Sequence, residues 1–406
     1  MKKHFPIRYY ILLAILLSIG MSTYWFLAGE LLPVAAEAAV AILIAALPLP
    51  LWLGQHLPLA RGMSKTHEAD IELQSPSILM AASQIDTLVV SKNGIITEGR
   101  PYVAGLIPEG VSQSTLLALA ASAEREALHP IGQAIYQTAI ERHLRLQPLA
   151  ACNEIRGCGV EALISHTPLR VGRPDWLLEE GVEISAELLT KADQLSLRGQ
   201  LPIFVANGKY CRGIIALDDE IPQNTITSLH KLQRQQISIV MLTSANKRLA
   251  TAIRKQTGID NALAGLSSDG KAREIQLLKA HGASIAMIGK PRGDESALAE
   301  ADLTIQLGQP APAAGKPEQA IDQPEPAAIL LKSGLLWDLA TLMSISRQTM
   351  DTIHQNRLIA IIAWLMLLPP AMGILHSFGG PFLPPFGALS GQILAAVLIT
   401  ANSLRT

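Results

Sequence analysis

The chain has 406 residues, a formal net charge of −1 and 17% charged residues. That balance excludes a basic nucleic-acid surface, and the charge content lies below the roughly 25% of soluble domains. Apolar residues crowd into the first 60 and the last 50 positions, so membrane segments flanking a polar middle are expected.

Residues 9–27 carry no charge over about the length that crosses a bilayer. Residues 33–53 form a second candidate span, with Glu37 near its start. Residues 358–375 and 382–399 form a third and a fourth; both contain prolines, which membrane helices tolerate. The first run exceeds a signal-peptide core and lacks a clear cleavage site, so a retained helix is expected. Lys2, Lys3 and Arg8 precede it, Arg61 and Lys65 follow the second span, Arg347 and Arg357 precede the third, and Arg405 follows the fourth. The short loops between paired spans hold no Lys or Arg. Both termini and the large middle region are therefore expected in the cytoplasm, with the chain integral to a bacterial inner membrane.

The middle alternates strands and helices. Residues 85–90 read as a buried strand and 116–142 as helical. Residues 202–206 and 213–217 read as strands around an Asn207–Gly208 turn. A helix at 221–235, a strand at 237–242, a helix at 246–257 and a strand at 285–288 follow. This order predicts a parallel sheet with its ligand site at the C-terminal strand ends, where Ser91, Thr243 and Gly289 fall. Residues 309–326 are rich in Pro, Ala, Gln and Glu and read as a loop. Cys152, Cys158 and Cys211 form no C-x-x-C pair, so they read as ordinary thiols in a reducing compartment.

Several segments together resemble the heavy-metal, copper-type P-type ATPases. Residues 85–101 (IDTLVVSKNGIITEGRP) resemble the segment around that family's D-K-T-G-T. His129-Pro130, Gly157-Cys158-Gly159 and Gly172 resemble its nucleotide-domain signatures. Thr243-Ser244-Ala245-Asn246 resembles T-G-D-N, Lys271 the phosphate-facing lysine, and 289–298 (GKPRGDESAL) the G-D-G-x-N-D segment. Gln355-Asn356 and 402–405 resemble the boundaries of the last two family helices. The resemblance implies four membrane helices and a haloacid-dehalogenase-like α/β phosphorylation domain carrying an inserted α+β nucleotide-binding-type domain. The implied parts are membrane helices at 1–60, a linker and first phosphorylation part at 61–99, the insert at 100–200, and the second phosphorylation part at 201–308. The loop at 309–326 and a connecting helix with the last two spans at 327–406 complete the series. No actuator domain or metal-binding head is expected ahead of the first span.

The resemblance also shows what has changed. The family's phosphorylated Asp is Ser91 here, and a serine is a weak nucleophile without an adjacent base, none being evident from sequence. Lys92 is kept, while Asn93 and Ile95 replace two threonines. Ala245 and Lys290 replace two further acids; an ammonium at 290 repels the magnesium that carboxylates hold. Asp294 remains, and two readings of Lys290 stay open: it pairs with Asp294 as a fixed charge filling the cation site, or it forms an ordinary surface salt bridge of little stabilising value. Thr243 and Lys271 are retained. The membrane C-P-C motif reads Leu47-Pro48-Leu49, without thiolates for soft metal. Ala363-Trp364 stands for the family's Tyr-Asn, and Met366, Met372, Glu37 and His376 read as packing or solvent-facing residues rather than ligands. Glu124, His129, Gly157, Gly159 and Gly172 are the candidates for binding ATP or another nucleotide without turnover; Arg173 replaces an asparagine beside them. Read as residues alone, these are a solvated acid, a helix start and turn glycines.

The expectation is a degenerate homologue unable to autophosphorylate or pump, acting as a membrane-bound nucleotide-sensing, regulatory or assembly module in copper handling. The alternative is a partial copper-transporting ATPase subunit working with a separate N-terminal half. Expected partners are membrane lipid and, by the resemblance, an intact metal ATPase, a separate actuator-domain chain or a metal-handling factor.

Overall fold

The structure is a computed structural model that describes residues 7–127, 129–155, 157–164, 167–290, 293–308 and 328–405. The expected loop at 309–326, Lys2, Lys3 and the Pro291-Arg292 part of the G-D-G-like segment lie outside the described residues. The chain divides into two compact units, Gln84–Ala340 and Met1–Ser83 with Thr341–Thr406.

Within Gln84–Ala340, parallel strands stand in the order Ile329–Leu331, Leu303–Leu307, Ile285–Ile288, Thr87–Ser91, Ser238–Leu242 and Asn261–Leu263. Thr87–Ser91 is buried at every residue, which explains its unbroken apolar run. Val89 aligns with Val240 on one side and Met287 on the other. The ends of these three neighbours therefore deliver Ser91, Thr243 and Gly289 to one edge of the sheet, as the sequence pattern implies.

A second sheet is antiparallel, in the order Tyr102–Pro108, Tyr210–Asp218, Leu201–Asn207, Thr167–Gly172, Gly159–Ile164 and Ala151–Ile155. One face packs on Leu116, Leu117 and Ile135, the other on Trp176, Leu177 and Leu188. This corrects the boundary expected at residue 200. The hairpin Leu201–Asn207/Tyr210–Asp218 fills the space between Tyr102–Pro108 and Thr167–Gly172, so the chain returns to the parallel sheet only after Asp218. The single helical stretch expected at 116–142 is also two helices, Gln113–Ala123 and Pro130–Glu141. His129 caps the second, its Nδ1 accepting from the Gly132 N–H at 3.0 Å, and Pro130 sits in its first turn, where a missing N–H costs nothing.

In the other unit, the helices are Ile7–Leu27, Leu32–Ala45, Leu49–Glu68, the part of Leu336–Ala371 from Thr341 onward, and Pro385–Leu404, with the short helix Pro76–Ala82. Four spans were expected. Among the described residues, two helical stretches are long and apolar enough to cross a membrane, Leu32–Glu68 and Pro385–Leu404, and Ile11–Leu27 is a shorter apolar helix. Ala41, Ile42, Ala45, Ala371 and Ala388 form a buried seam in which small side chains let helices approach closely. Asn356 is fully buried and ties three helices together. Its Nδ2 donates to Gly54 O at 3.2 Å and Ser403 Oγ at 2.9 Å, while its Oδ1 accepts from Asn402 Nδ2 at 2.9 Å.

Replacing Asn356 by Ala strands these partners. It is expected to destabilise the protein by about 1–2 kcal/mol, read as a lower melting temperature in detergent; an unchanged melting temperature would contradict the assignment.

Candidate functional site

The edge of the parallel sheet is organised around one carboxylate. Asp294 is 4% exposed and comes after the strand Ile285–Ile288 in the chain. Its Oδ2 accepts from Ser91 Oγ at 2.6 Å and from the Lys290 N–H at 3.0 Å. Its Oδ1 accepts from Lys271 Nζ at 2.6 Å, and that ion pair is nearly closed to solvent. Lys271 lies in the first turn of the helix Ser268–Ala280, whose N-terminus Ser267 caps by accepting from the Gly270 N–H. Three donors thus neutralise and saturate a charge that burial would otherwise make costly.

This corrects the pairing expected of Lys290. The ammonium opposite Asp294 belongs to Lys271, because a helix residue reaches the carboxylate from across the sheet edge. Lys290 supplies its backbone N–H, and its side chain runs instead over Gly94 and Gly99. The structure also supplies the neighbouring base that the sequence did not reveal. The two residues are 203 positions apart, and only the parallel register of Thr87–Ser91 with Ile285–Ile288 brings them together.

Thr243 is 4% exposed, and its Oγ1 accepts from the Ala245 N–H at 3.1 Å. Asn246 caps the helix Lys247–Thr257 by accepting from the Leu249 N–H at 2.8 Å. Ile95 is buried at 7% exposure, whereas Asn93 is exposed. Burial pushes the Lys92 ammonium below its ordinary pKa, although Asp219 and Asp218 act against the shift.

Asp219 was not singled out from the sequence. It holds the strand entering the second sheet: Oδ2 accepts from Thr97 Oγ1 at 2.5 Å, and Oδ1 accepts from the N–H groups of Gly99 and Arg100 at 3.0 and 3.1 Å. The only available signal was its place just after an apolar strand.

Magnesium does not fit the described residues at this edge. Lys290 stands where the resemblance needs a carboxylate, and Asp294 has both oxygens committed to donors.

The nucleotide candidates divide into two groups. Glu124 is 3% exposed, and His129 Nε2 lies 3.3 Å from its Oε2. The Glu124 carboxylate beside it raises the His129 pKa, burial opposes the rise, and the charge of Glu154 adds to it. Glu124 is therefore no solvated-face acid. Gly159 and Gly172 face each other as cross-strand partners beneath Trp176. A Cβ on either would collide with backbone, on Val171 O or Cys158 O, so their glycines serve strand packing. Gly157 turns with a φ of +80° in open space. Arg173 is held outward by Asp175, with Nη2 2.6 Å from Oδ2.

In the helical unit the expected break at Leu47-Pro48-Leu49 is present: one helix stops at Ala45 and the next begins at Leu49. Its carbonyls find nitrogen donors. Gln392 Nε2 donates to Ala45 O at 2.7 Å and Trp364 Nε1 to Leu47 O at 3.3 Å. Met366 points outward at 71% exposure, and His376 Nε2 lies 2.7 Å from Glu30 Oε1. Gln392, also missed in the sequence, was hidden in an apolar run.

Residues 85–302 match the haloacid dehalogenase-like hydrolase family. The chain belongs to that family. It is also homologous to copper and heavy-metal P-type ATPases over most of its length. It is 33% identical to a silver exporting P-type ATPase of Salmonella typhimurium over 91% of this chain and 44% of that protein. Against a probable copper-exporting P-type ATPase of Archaeoglobus fulgidus the identity is 31%, over 98% of this chain and 48% of that protein. The chain thus spans about half the length of the curated relatives it matches. Its fold is similar to that of a zinc-transporting PIB-type ATPase in the E2.Pi state, with a TM-score of 0.72 at 24% identity, covering 100% of this chain and 64% of that one. A nucleotide-binding study of the catalytic domain of the CPx-ATPase CopB-B gives a further similar fold, with a TM-score of 0.51 at 23% identity over 69% of this chain and 98% of that domain.

Because the folded His129 pKa is raised above its ordinary 6.5, the Glu124–His129 pair stabilises fully below that value and its contribution is lost as pH rises through the raised one. The melting-temperature gap between the protein and its Glu124→Gln variant is expected to be largest near about pH 6 and to shrink by about pH 9. A gap independent of pH would contradict the pairing.

Proposed function

We propose that the chain is a degenerate heavy-metal P-type ATPase homologue that neither forms an acyl phosphate nor pumps metal. It acts as a membrane-bound nucleotide-sensing, regulatory or assembly module in copper handling. The observation that carries this reading is Ser91 at the end of the central strand, hydrogen-bonded to an Asp294 already paired with Lys271. Phosphoryl transfer through an aspartyl intermediate needs a carboxylate at that point and cations arranged on the phosphates. A hydroxyl stands there instead, and Lys290 takes the place of a metal ligand. The metal path supports the same reading. Soft monovalent metal requires thiolate or thioether ligands, whereas the broken helix has its carbonyls satisfied by Gln392 and Trp364.

In this reading four helices span a bacterial inner membrane, with both termini and the Gln84–Ala340 unit in the cytoplasm, as the Lys and Arg distribution favours. Glu124 and His129 keep the polar end of a nucleotide pocket. Lipid surrounds the helices, and an intact metal ATPase, a separate actuator-domain chain or another metal-handling factor is the protein partner.

One observation favours the alternative, a partial copper ATPase subunit working with a separate N-terminal half. The Asp294 carboxylate lies 2.6 Å from Ser91 Oγ and can accept its proton during attack on ATP. The Ser91 oxygen would bond to the γ-phosphorus as its bond to the bridging oxygen breaks and ADP leaves, giving a phosphoserine ester, which lacks the lability of an acyl phosphate.

Reconstitution into sealed vesicles separates the two. ATP is expected to raise the melting temperature without driving copper(I) or silver(I) accumulation. ATP-dependent accumulation of either ion would contradict the proposal.

A further inference from the structure

We propose that the hollow between the last turn of Pro385–Leu404 and the helix Leu49–Glu68 binds the headgroup of phosphatidylethanolamine from the membrane. The proposal rests on these helices spanning a bilayer and on no nucleotide or metal chemistry. The hollow holds about 330 Å³, at the small end of ligand sites. Its walls come from the two helical stretches long and apolar enough to cross a membrane. Pro385–Leu404 has 20 residues, so it runs about 30 Å and ends where a hydrocarbon core ends. Thr400, Ser403 and Leu404 in its last turn line one side of the hollow, which therefore opens at headgroup depth.

The facing wall follows the order of groups in a lipid. Leu57 and Ala60 come first and, with Leu404, give apolar surface to an acyl chain. Arg61 and Lys65 follow, four residues apart and so on one helix face, at the level of a lipid phosphate. Glu68 comes last, about 4.5 Å further along the axis than Lys65. Side chains on a helix lean toward its N-terminus, here toward the apolar end, so Lys65 and Glu68 reach down to the headgroup layer. Acyl chain, phosphate and ammonium succeed one another in the same order in phosphatidylethanolamine, whose two charges are separated by a two-carbon bridge.

The balance of charge selects a zwitterion. Arg61 and Lys65 stand against one carboxylate, Glu68, and the C-terminal end of Pro385–Leu404 adds a partial negative charge. That near-balance does not favour a polyanion, and an acidic headgroup such as phosphatidylglycerol brings no cation to Glu68. Arg61 is exposed and has no carboxylate partner among the described residues, which leaves its guanidinium to a phosphate. Glu68 Oε1 accepts from Ser64 Oγ at 3.3 Å, a long bond, and a primary ammonium supplies the N–H donors its oxygens can take. A choline headgroup carries the same charge without an N–H. The Thr400 and Ser403 hydroxyls donate to Ala396 O and Ile399 O in their own helix, so they offer the hollow no donor that competes with Arg61 and Lys65 for the phosphate.

Native mass spectrometry tests this on the full chain, delipidated in detergent and offered equal amounts of phosphatidylethanolamine, phosphatidylglycerol and phosphatidylcholine with the same acyl chains. Phosphatidylethanolamine adducts are expected at about tenfold the level of either other lipid, the worth of one charge-assisted hydrogen bond. Glu68→Gln, checked for an unchanged melting temperature, should erase the preference over phosphatidylglycerol. Arg61→Gln should deplete the adducts of both lipids alike, and Arg61→Lys should restore them. Equal adducts of the three lipids on the unmodified chain, or a preference untouched by Glu68→Gln, overturns the proposal. Glycerophosphoethanolamine, the water-soluble headgroup, forms the last arm. It is expected not to displace the lipid at equal concentration, and displacement overturns the assignment to a membrane lipid.

Discussion

The Asp294 carboxylate is the point on which the sheet edge depends. A buried carboxylate is tolerable only when charge and hydrogen bonds compensate for lost water. Here the compensation comes from Ser91 on the central strand, Lys271 on a helix and the Lys290 N–H on the adjoining loop. Three separate stretches of chain are fastened by one side chain. A second acid, Asp219, is spent the same way on the entry to the inserted sheet.

The helical unit follows the same logic without any charge. A helix broken before a proline exposes carbonyls, and in an apolar setting each must find a donor. Gln392 and Trp364 supply the donors at Ala45 and Leu47. Both units therefore keep the backbone irregularity that the metal-transporting resemblance implies, and both turn its polar groups toward internal partners.

Much of this was legible in the sequence because strand and helix periods are local. The run around Val89 and Val90 and the placement of Ser91, Thr243 and Gly289 at strand ends came from pattern alone. What the pattern missed was nonlocal. Leu201–Asn207 looks like any apolar strand, and only its neighbours place it in the antiparallel sheet rather than the parallel one. The break between Gln113–Ala123 and Pro130–Glu141 was signalled by His129-Pro130, but continuous apolar spacing masked it. Which lysine reaches Asp294 depends on side-chain direction, so Lys271 rather than Lys290 could not be read from motif position. Gln392 was concealed because one amide in an apolar helix has no sequence partner until the kink is seen beside it.

The central claim is that no acyl phosphate can form where Ser91 replaces a carboxylate. Incubation of the purified chain with γ-labelled ATP, magnesium and copper(I), followed by acid quench and hydroxylamine treatment, addresses it directly. The account predicts no hydroxylamine-sensitive label. An acid-stable phosphate released by hydroxylamine and mapped to an aspartate of this chain would contradict it.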